Sequence, residues 1–183
     1  MDELISKNYS TGDISDALSK LGIESYIPDI VIKSPIQNCQ NIKVVGFAHT
    51  RLLGTRAKKI GVKGVVIEGR LRDLKELWDM EFPAFATGNS TMGAAPFSRV
   101  STVGEPITLA ADTIAPVVVK EGDIIVGDID GVVRIPKDKL DKVLKILQFL
   151  TLQDEKVLQH ILKGETLKNS FEKFRKPLPT ELL

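Results

Sequence analysis

The spacing of apolar positions predicts a helix near the start of the chain and a longer one near its end. Apolar residues in 10–21 recur every three or four positions, which places them on one face of a helix. Ser10 and Asp13 have the spacing of a capping box, and Gly22 is a natural stop. A continuous apolar stripe over 137–163 predicts a long amphipathic helix, or two helices in line.

Between these helices, runs of β-branched residues predict strands. The predicted strands are 29–34, 42–53, 64–69, 83–87, 107–110, 116–120, 124–127 and 132–135, and a short helix is predicted over 55–61. The glycine-bounded run 64–69 fits a buried strand, followed by a helix with Asp73 as N-cap and Glu76 as its N3 partner. This order of elements favours one α/β domain with a layered sheet core.

Composition narrows the classes of function. The chain has 183 residues, of which 43% are hydrophobic and 27% charged, as expected for a folded soluble domain. A net charge of +1 argues against a broad basic face for nucleic acid. Because there is neither a long apolar run nor a signal-peptide pattern, we expect no membrane contact and a cytoplasmic location. Cys39, His49 and His160 are too few for an internal disulfide, a cysteine or multi-histidine metal site, or a Ser-His-Asp triad.

The sharpest candidate for chemistry is the run 68–73, Glu-Gly-Arg-Leu-Arg-Asp, where a predicted strand gives way to a helix. Open α/β sheets bind ligands at such carboxyl ends of strands. The Arg72 guanidinium can hold a carboxylate at two points, and Asp73 offers oxygen ligands to a divalent cation. The pair could therefore bind an α-keto acid. The alternative is that Asp73 only caps its helix and Arg72 lies in solvent.

Two further runs have both a functional and a structural interpretation. The acids in 122–131 could hold a metal ion, although Gly-Asp pairs are also ordinary in turns. The small polar run 88–96 could bind an anion or form a plain loop. Lys58, Lys59 and Lys63 raise the question of a Schiff-base aldolase, but their crowding indicates a solvated surface. For Trp78 the simplest interpretation is a position in the core. For His160 it is a position in contact with solvent.

The chain resembles the RraA-like family in three motifs that follow in the family's order. They are G-V-V-I-E-G-R-L-R-D (64–73), F-P-A-F-A-T-G (82–88) and V-K-E-G-D-I-I-V-G-D-I-D-G-V-V-R-I-P (119–136), and the run 10–18 is similar to the family's first helix. The family includes 4-hydroxy-4-methyl-2-oxoglutarate aldolases and the bacterial regulator of ribonuclease E activity. The resemblance implies a swivelling β/β/α-type domain over 1–170, with a C-terminal amphipathic helix and a tail over 171–183.

The resemblance also implies a function and a site. It implies a class II aldolase that uses Mg²⁺ or Mn²⁺, acts on a keto-acid substrate, releases pyruvate, and decarboxylates oxaloacetate as a side activity, in a homotrimer or a hexamer. Arg72 would be the catalytic residue and would bind substrate together with Gly69. Asp73 would hold the metal ion. Glu68 stands where many members have Asp, and Glu155 is similar to an acid supplied across the subunit interface.

One departure from the family affects this expectation. Full-length members carry a β–α unit, with a glycine turn that grips the substrate carboxylate, between the regions matching Leu53 and Thr55. Most of this unit is absent here, either because the protein is naturally shortened or because the gene model is wrong. The alternative function is therefore a non-catalytic regulator that binds a partner protein and has lost part of the active site.

Overall fold

The computed structural model describes residues 1–35, 44–47, 54–92, 102–113 and 115–182. The helices are α1 (Asp2–Ser6), α2 (Thr11–Ser19), α3 (Gly54–Lys59), α4 (Leu74–Asp79), α5 (Leu140–Leu162) and α6 (Leu167–Phe174), with 3-10 turns at Lys137–Lys139 and Thr180–Leu182. The strands are β1 (Val31–Ser34), β2 (Val44–Phe47), β3 (Val65–Leu71), β4 (Ala84–Asn89), β5 (Ile107–Leu109), β6 (Val117–Val119), β7 (Ile124–Asp128) and β8 (Gly131–Ile135).

These strands form two three-stranded sheets and a hairpin. One sheet has the order β1-β4-β3, in which β3 and β4 are parallel, and the other has the antiparallel order β2-β7-β8. Strands β5 and β6 form the antiparallel hairpin. The mixed α/β domain with stacked sheets agrees with the fold expected from the sequence.

Three apolar clusters hold the layers together, and alternate residues of one strand point into different clusters. The first cluster packs α2 and α5 on the β2-β7-β8 sheet, with Ile124 and Val126 from β7. The second lies between the two sheets around Phe85 of β4. The third packs α3 and α4 against the other face of β4 at Ala84. The layers therefore run helices, sheet, sheet, helices.

Most of the predicted elements are present close to their predicted bounds. The capping box of α2 is complete, because the Asp13 amide donates to Ser10 Oγ (3.1 Å) and the Ser10 amide donates to Asp13 Oδ2 (2.9 Å). Gly22 follows this helix with φ +64°. The predicted strand 42–53 is described only at β2. No helix of the described residues combines the length and the apolar character that crossing a membrane requires.

The expectation that 64–69 is a buried strand was wrong. Within the described residues β3 is the end strand of its sheet, so it has one neighbouring strand, and its side chains are half-buried or exposed. Glycine boundaries and an apolar composition cannot distinguish an edge strand from a central one. An exposed β3 is also what the sequence leads one to expect if the family's additional β–α unit is missing.

The C-terminal region is more structured than the sequence indicated. Helix α6 was not predicted, and the proposed domain boundary at residue 170 falls within it. The buried side chain of Gln153 forms two hydrogen bonds with the backbone of Lys176, through Oε1 (3.0 Å) and Nε2 (3.3 Å). Leu178 and Leu182 then pack on the first cluster. The segment from Lys176 is therefore docked on the rest of the domain.

Gly127 of β7 faces the Phe85 ring of the other sheet with no room for a Cβ, which gives a testable prediction. A Cβ added there would lie 2.7 Å from Cζ of Phe85, whose ring is fully buried. We expect Gly127→Ala to lower the free energy of unfolding by about 1–3 kcal/mol because the core is overpacked. Urea denaturation measures this change.

Gly12→Ala is the control for this substitution. Its added Cβ would lie 3.5 Å from its nearest neighbour, Ser10 Oγ, in the first turn of α2. We expect that control to be neutral or stabilising by up to about 1 kcal/mol, since alanine favours helices over glycine. Equal stability of Gly127→Ala and the parent protein would contradict the close packing of the sheets.

Candidate active site

The candidate site lies at the carboxyl ends of the parallel strands β3 and β4. Leu71, the last residue of β3, pairs with Asn89, the last residue of β4, and the Ser90 amide donates to Leu71 O (2.8 Å). Arg72 and Asp73 follow directly after Leu71. The fold therefore brings the Arg-Asp pair next to the start of the small polar run 88–96. Residues 93–96 of that run lie outside the described residues.

Asp73 is the N-cap residue of α4, as predicted, but its side chain does not cap the helix. Its backbone is left-handed (φ +60°, ψ +36°), and its side chain makes no capping hydrogen bond. The predicted partner Glu76 instead accepts a hydrogen bond from Thr55 Oγ1 (3.0 Å). Aspartate is among the residue types that adopt this conformation most readily, and Asn8, Asp29, Glu81 and Ala110 share it. With no capping contact to make, the carboxylate pairs with Arg72 instead.

Arg72 and Asp73 form an ion pair with each other. Arg72 Nε lies 3.2 Å from Asp73 Oδ2, and the two side chains are 51% and 63% exposed. An exposed pair of this kind adds little stability. The recorded contact uses Nε, so the two Nη nitrogens have no recorded ion-pair partner among the described residues and can serve another group. These two nitrogens have the geometry for a two-point contact with a carboxylate.

Strand β3 contains an irregularity just before this pair. Ile67 pairs with Ala86 and Arg70 pairs with Gly88, so β3 has one residue more than β4 over this stretch. Thr87 Oγ1 donates to the Gly69 carbonyl in the bulge (2.7 Å). Gly69 therefore has a role in backbone geometry, beside the substrate-binding role predicted for it. The signal in the sequence was a glycine inside a strand pattern, which often marks a bulge.

Two other side chains connect the strand ends to their surroundings. The Glu68 carboxylate accepts a hydrogen bond from the backbone amide of Ala110, a left-handed residue (φ +54°) directly after β5. Arg70 Nη1 donates to the carbonyl of Asn89 (3.1 Å), so it crosses from β3 to β4. Sequence reasoning identified neither of these contacts, nor the part that Thr87 plays.

To a divalent cation this site offers one carboxylate, that of Asp73, which also pairs with Arg72. No group of three or more His, Cys, Asp or Glu side chains comes together in the described part of the chain. Mg²⁺ is commonly bound through one or two carboxylates while it keeps several waters. Asp73, whose side chain is exposed and does not cap the helix, is a donor of that kind.

Asp123 and Asp128, two of the three acids in 122–131, serve the structure, as the turn interpretation proposed. Asp123 pairs with Arg134 Nε (2.7 Å) and accepts hydrogen bonds from two backbone amides. Asp128 accepts hydrogen bonds from the Thr11 amide (2.8 Å) and Thr11 Oγ1 (2.6 Å), so it anchors the first residue of α2. Both carboxylates are buried and occupied by these partners.

Glu155, the weaker candidate, is not brought to Arg72 within this chain. It lies on α5, in the helical layer packed on the β2-β7-β8 sheet, whereas Arg72 follows β3 of the other sheet. Glu155 lines a shallow cleft between α5 and α6 together with His160 and Phe174. A contribution of Glu155 to a site across a subunit interface stays a prediction.

Two of the other sequence expectations were wrong. His160 is partly buried, with Nδ1 3.0 Å from Ser170 Oγ and its ring edge-to-face with Phe174. Trp78 is 38% exposed, and its indole N–H donates to Lys33 O (2.8 Å). Periodicity gives the face of a helix but does not show that α6 covers His160.

The lysines that raised the question of a Schiff base lie on the surface. Lys58, Lys59 and Lys63 are all exposed, and Lys58 Nζ donates to the carbonyl of Met80, which ties α3 to the end of α4. Cys39 and His49 lie outside the described residues.

Comparison with known proteins supports the family suggested by the motifs. A family model described as RraA-like, Aldolase/RraA, matches residues 42–134, about half of the chain. An uncharacterised protein of Methanocaldococcus jannaschii is 35% identical over 122 residues, which is 64% of this chain and 54% of that protein. A protein of Halalkalibacterium halodurans named "Putative 4-hydroxy-4-methyl-2-oxoglutarate aldolase" is 34% identical over 99 residues, 54% of this chain and 44% of that protein. The chain thus spans about half the length of the curated relatives it matches.

Solved structures support the fold. A protein of Pseudomonas syringae pv. tomato superposes with a TM-score of 0.76 at 21% identity, over 92% of this chain and 94% of the other. RraAS2 of Streptomyces coelicolor, described as an unusual member of the RNase ES inhibitor RraA protein family, superposes with a TM-score of 0.62 at 20% identity, over 86% and 93%. The motifs, the family model and the fold agree, and the chain belongs to the RraA-like (Aldolase/RraA) family.

Proposed function

We propose that this protein is a divalent-metal-dependent aldolase that cleaves 4-hydroxy-4-methyl-2-oxoglutarate-type substrates to pyruvate and decarboxylates oxaloacetate as a side activity. The observation that carries the proposal is the Arg72–Asp73 pair at the carboxyl ends of β3 and β4. Asp73 holds a left-handed conformation there without using its carboxylate to cap α4. A relative that is 34% identical carries the name of such an aldolase.

Arg72 binds the carboxylate of the keto acid in this proposal. Its Nε contact with Asp73 orients the guanidinium, so the two Nη nitrogens can form parallel hydrogen bonds to both carboxylate oxygens. In the cleavage the bond between C3 and C4 breaks, the C4 hydroxyl gives its proton to water, and the electron pair of the bond stays with the pyruvyl fragment. C3 then takes up a proton, which gives two molecules of pyruvate. The positive charge of Arg72 lies beside the negative charge that develops on the pyruvyl group.

Asp73 holds the divalent cation in this proposal. When bound, the cation supplies Lewis-acid stabilisation of the negative charge on the keto oxygen. The ion pair with Arg72 places the Asp73 carboxylate beside the group that binds the substrate. Cation and keto acid would therefore be held by adjacent residues.

The exposure of the pair suggests that other subunits complete the pocket. Arg72 and Asp73 are each half exposed or more within one chain, whereas ligand pockets bury most of a small ligand's surface. We propose a homotrimer or a hexamer in which a neighbouring copy covers the pair. Light scattering would give the size of the assembly. A melting temperature that rises with protein concentration would support it, because assembly stabilises the folded subunit.

The same exposure favours a second candidate function. A pair this open to solvent is also what remains if the pocket was lost together with the family's β–α unit. The protein would then act as a non-catalytic regulator that binds a partner protein. Activity and metal binding distinguish the two candidates.

The first test is pyruvate release from 4-hydroxy-4-methyl-2-oxoglutarate and from oxaloacetate, with Mg²⁺, with Mn²⁺ and with EDTA. We expect turnover with metal and a fall of roughly 100-fold or more with EDTA, since a Lewis acid contributes several kcal/mol to transition-state stabilisation. No turnover from a folded, assembled sample would reject the aldolase and favour the regulator.

Metal binding is tested separately by calorimetric titration with Mn²⁺. We expect Asp73→Asn to weaken binding at least about tenfold, because the amide carries no charge to offer the cation. Asp79→Asn is the matched control, since Asp79 is equally exposed (62%) and paired with Lys75 (2.6 Å) in the same region. Equal affinities in both variants would remove Asp73 from the site.

A further inference from the structure

We propose that Thr87 and Glu68 are positioning residues that hold the β3 bulge and so set the direction of Arg72. The kinetic test of this inference rests on the proposed function, whereas the hydrogen-exchange test does not. It starts from the extra residue that β3 contains between Ile67 and Arg70. Bulges in parallel strands are rare, and bulges next to active sites re-aim side chains.

The bulge decides which way Arg72 points. Successive side chains on a strand point to opposite faces, so a shift of one residue moves every later side chain to the other face. The regular pairing resumes at Arg70 with Gly88 and Leu71 with Asn89, and the Ser90 amide then bonds to Leu71 O. Arg72 follows at once. If the extra residue were absorbed, Arg72 would leave the strand on the opposite face.

Hydrogen bonds to two neighbouring segments fix the two residues of the bulge. Thr87 Oγ1 of β4 donates to the carbonyl of Gly69 (2.7 Å). On the other side, the Glu68 carboxylate accepts from the amide of Ala110, next to β5. Ala110 O in turn accepts hydrogen bonds from the amide (3.0 Å) and Oγ1 (2.8 Å) of Thr113, which closes the turn that holds this amide. The bulge is thus tied to β4 and to the end of β5.

Thr87→Val tests the proposal because it removes the hydroxyl and keeps the shape of the side chain. We expect kcat/KM for pyruvate release to fall roughly 10- to 100-fold, as small misplacements of a binding group do. Thr87→Ser keeps the hydroxyl and should restore most of the activity. Thr108→Val is the matched control, since Thr108 is an exposed threonine on β5.

Coupling to Arg72 separates positioning from a general loss of stability. In an Arg72→Ala background the Thr87→Val substitution should change kcat/KM less than about twofold, because there is no guanidinium left to misplace. The same fold-change in both backgrounds would overturn the inference.

Glu68 is tested by comparing two substitutions. Glu68→Gln, whose amide oxygen can still accept a hydrogen bond from the Ala110 amide, should lose less activity than Glu68→Ala. Equal losses would exclude Glu68 from this role.

Hydrogen exchange at the Ser90 amide provides a readout that does not need catalysis. We expect Thr87→Val to accelerate this exchange about tenfold or more relative to Thr108→Val, since the pairing after the bulge loosens. Unchanged exchange would overturn the positioning role. If exchange responds while the parent protein releases no pyruvate, the aldolase proposal fails and the role of Thr87 in the bulge stands.

Discussion

Replacing Arg72 with alanine should lower kcat/KM for pyruvate release by roughly 10²- to 10³-fold, the loss typical when one donor to a developing negative charge is removed. The reason is the shape of the guanidinium group. Arg72 Nε contacts Asp73 at 3.2 Å, and the two Nη nitrogens can bind the two oxygens of the substrate carboxylate. Arg72→Lys should recover only part of the loss, because an ammonium group keeps the charge but not the two-point geometry. Steady-state kinetics with both substrates measures the effect.

The matched control for this substitution is Arg175→Ala. Arg175 is exposed to the same degree (49%) and pairs with Asp154 (2.6 Å), but it follows α6, away from the strand ends. Both variants should unfold within about 1 kcal/mol of the parent protein, since exposed ion pairs add little stability. An Arg72→Ala protein with undiminished turnover would remove Arg72 from the mechanism.

Local signals in the sequence predicted the elements that depend on local physics. The capping box of Ser10 and Asp13 is a contact over three residues, and the structure contains it as predicted. The turn interpretation of the acids in 122–131 also holds, because short Gly-Asp turns favour tight connections between strands. The position of Arg72 and Asp73 after a strand and before a helix followed from the change of hydrophobic period.

Local signals could not predict the features that depend on contacts between distant parts of the chain. The bulge in β3 requires Thr87 from another strand and Ala110 from the loop after β5, and no local pattern reports such partners. Asp73 has the sequence of an N-cap, yet its backbone turns left-handed and its carboxylate meets Arg72. His160 is covered by a helix whose packing, rather than its periodicity, decides the burial. A residue that departs from its local preference next to a candidate site is itself a sign of function.

Replacing Asp128 with alanine should lower the free energy of unfolding by about 2–4 kcal/mol. Its buried carboxylate accepts hydrogen bonds from the amide and the hydroxyl of Thr11, and from the amide of Asp130 (2.9 Å). Each buried donor left without a partner costs about 1–3 kcal/mol, and loss of a helix cap typically costs about 1 kcal/mol. Because α2 packs on α5 and on the β2-β7-β8 sheet, loosening its start weakens the first apolar cluster.

Asp130→Ala, in the same turn, is the control for this effect. Its side chain is exposed, and it is the Asp130 backbone amide that donates to Asp128. We therefore expect that variant to stay within about 0.5 kcal/mol of the parent protein in urea denaturation. The free energy of unfolding of Asp128→Asn should lie between those of the two alanine variants, because its amide oxygen can still accept a hydrogen bond from Thr11 while the charge is lost. Equal stabilities of Asp128→Ala and Asp130→Ala would show that the link between β7 and α2 does not support the fold, and that the apolar cluster alone holds the helix in place.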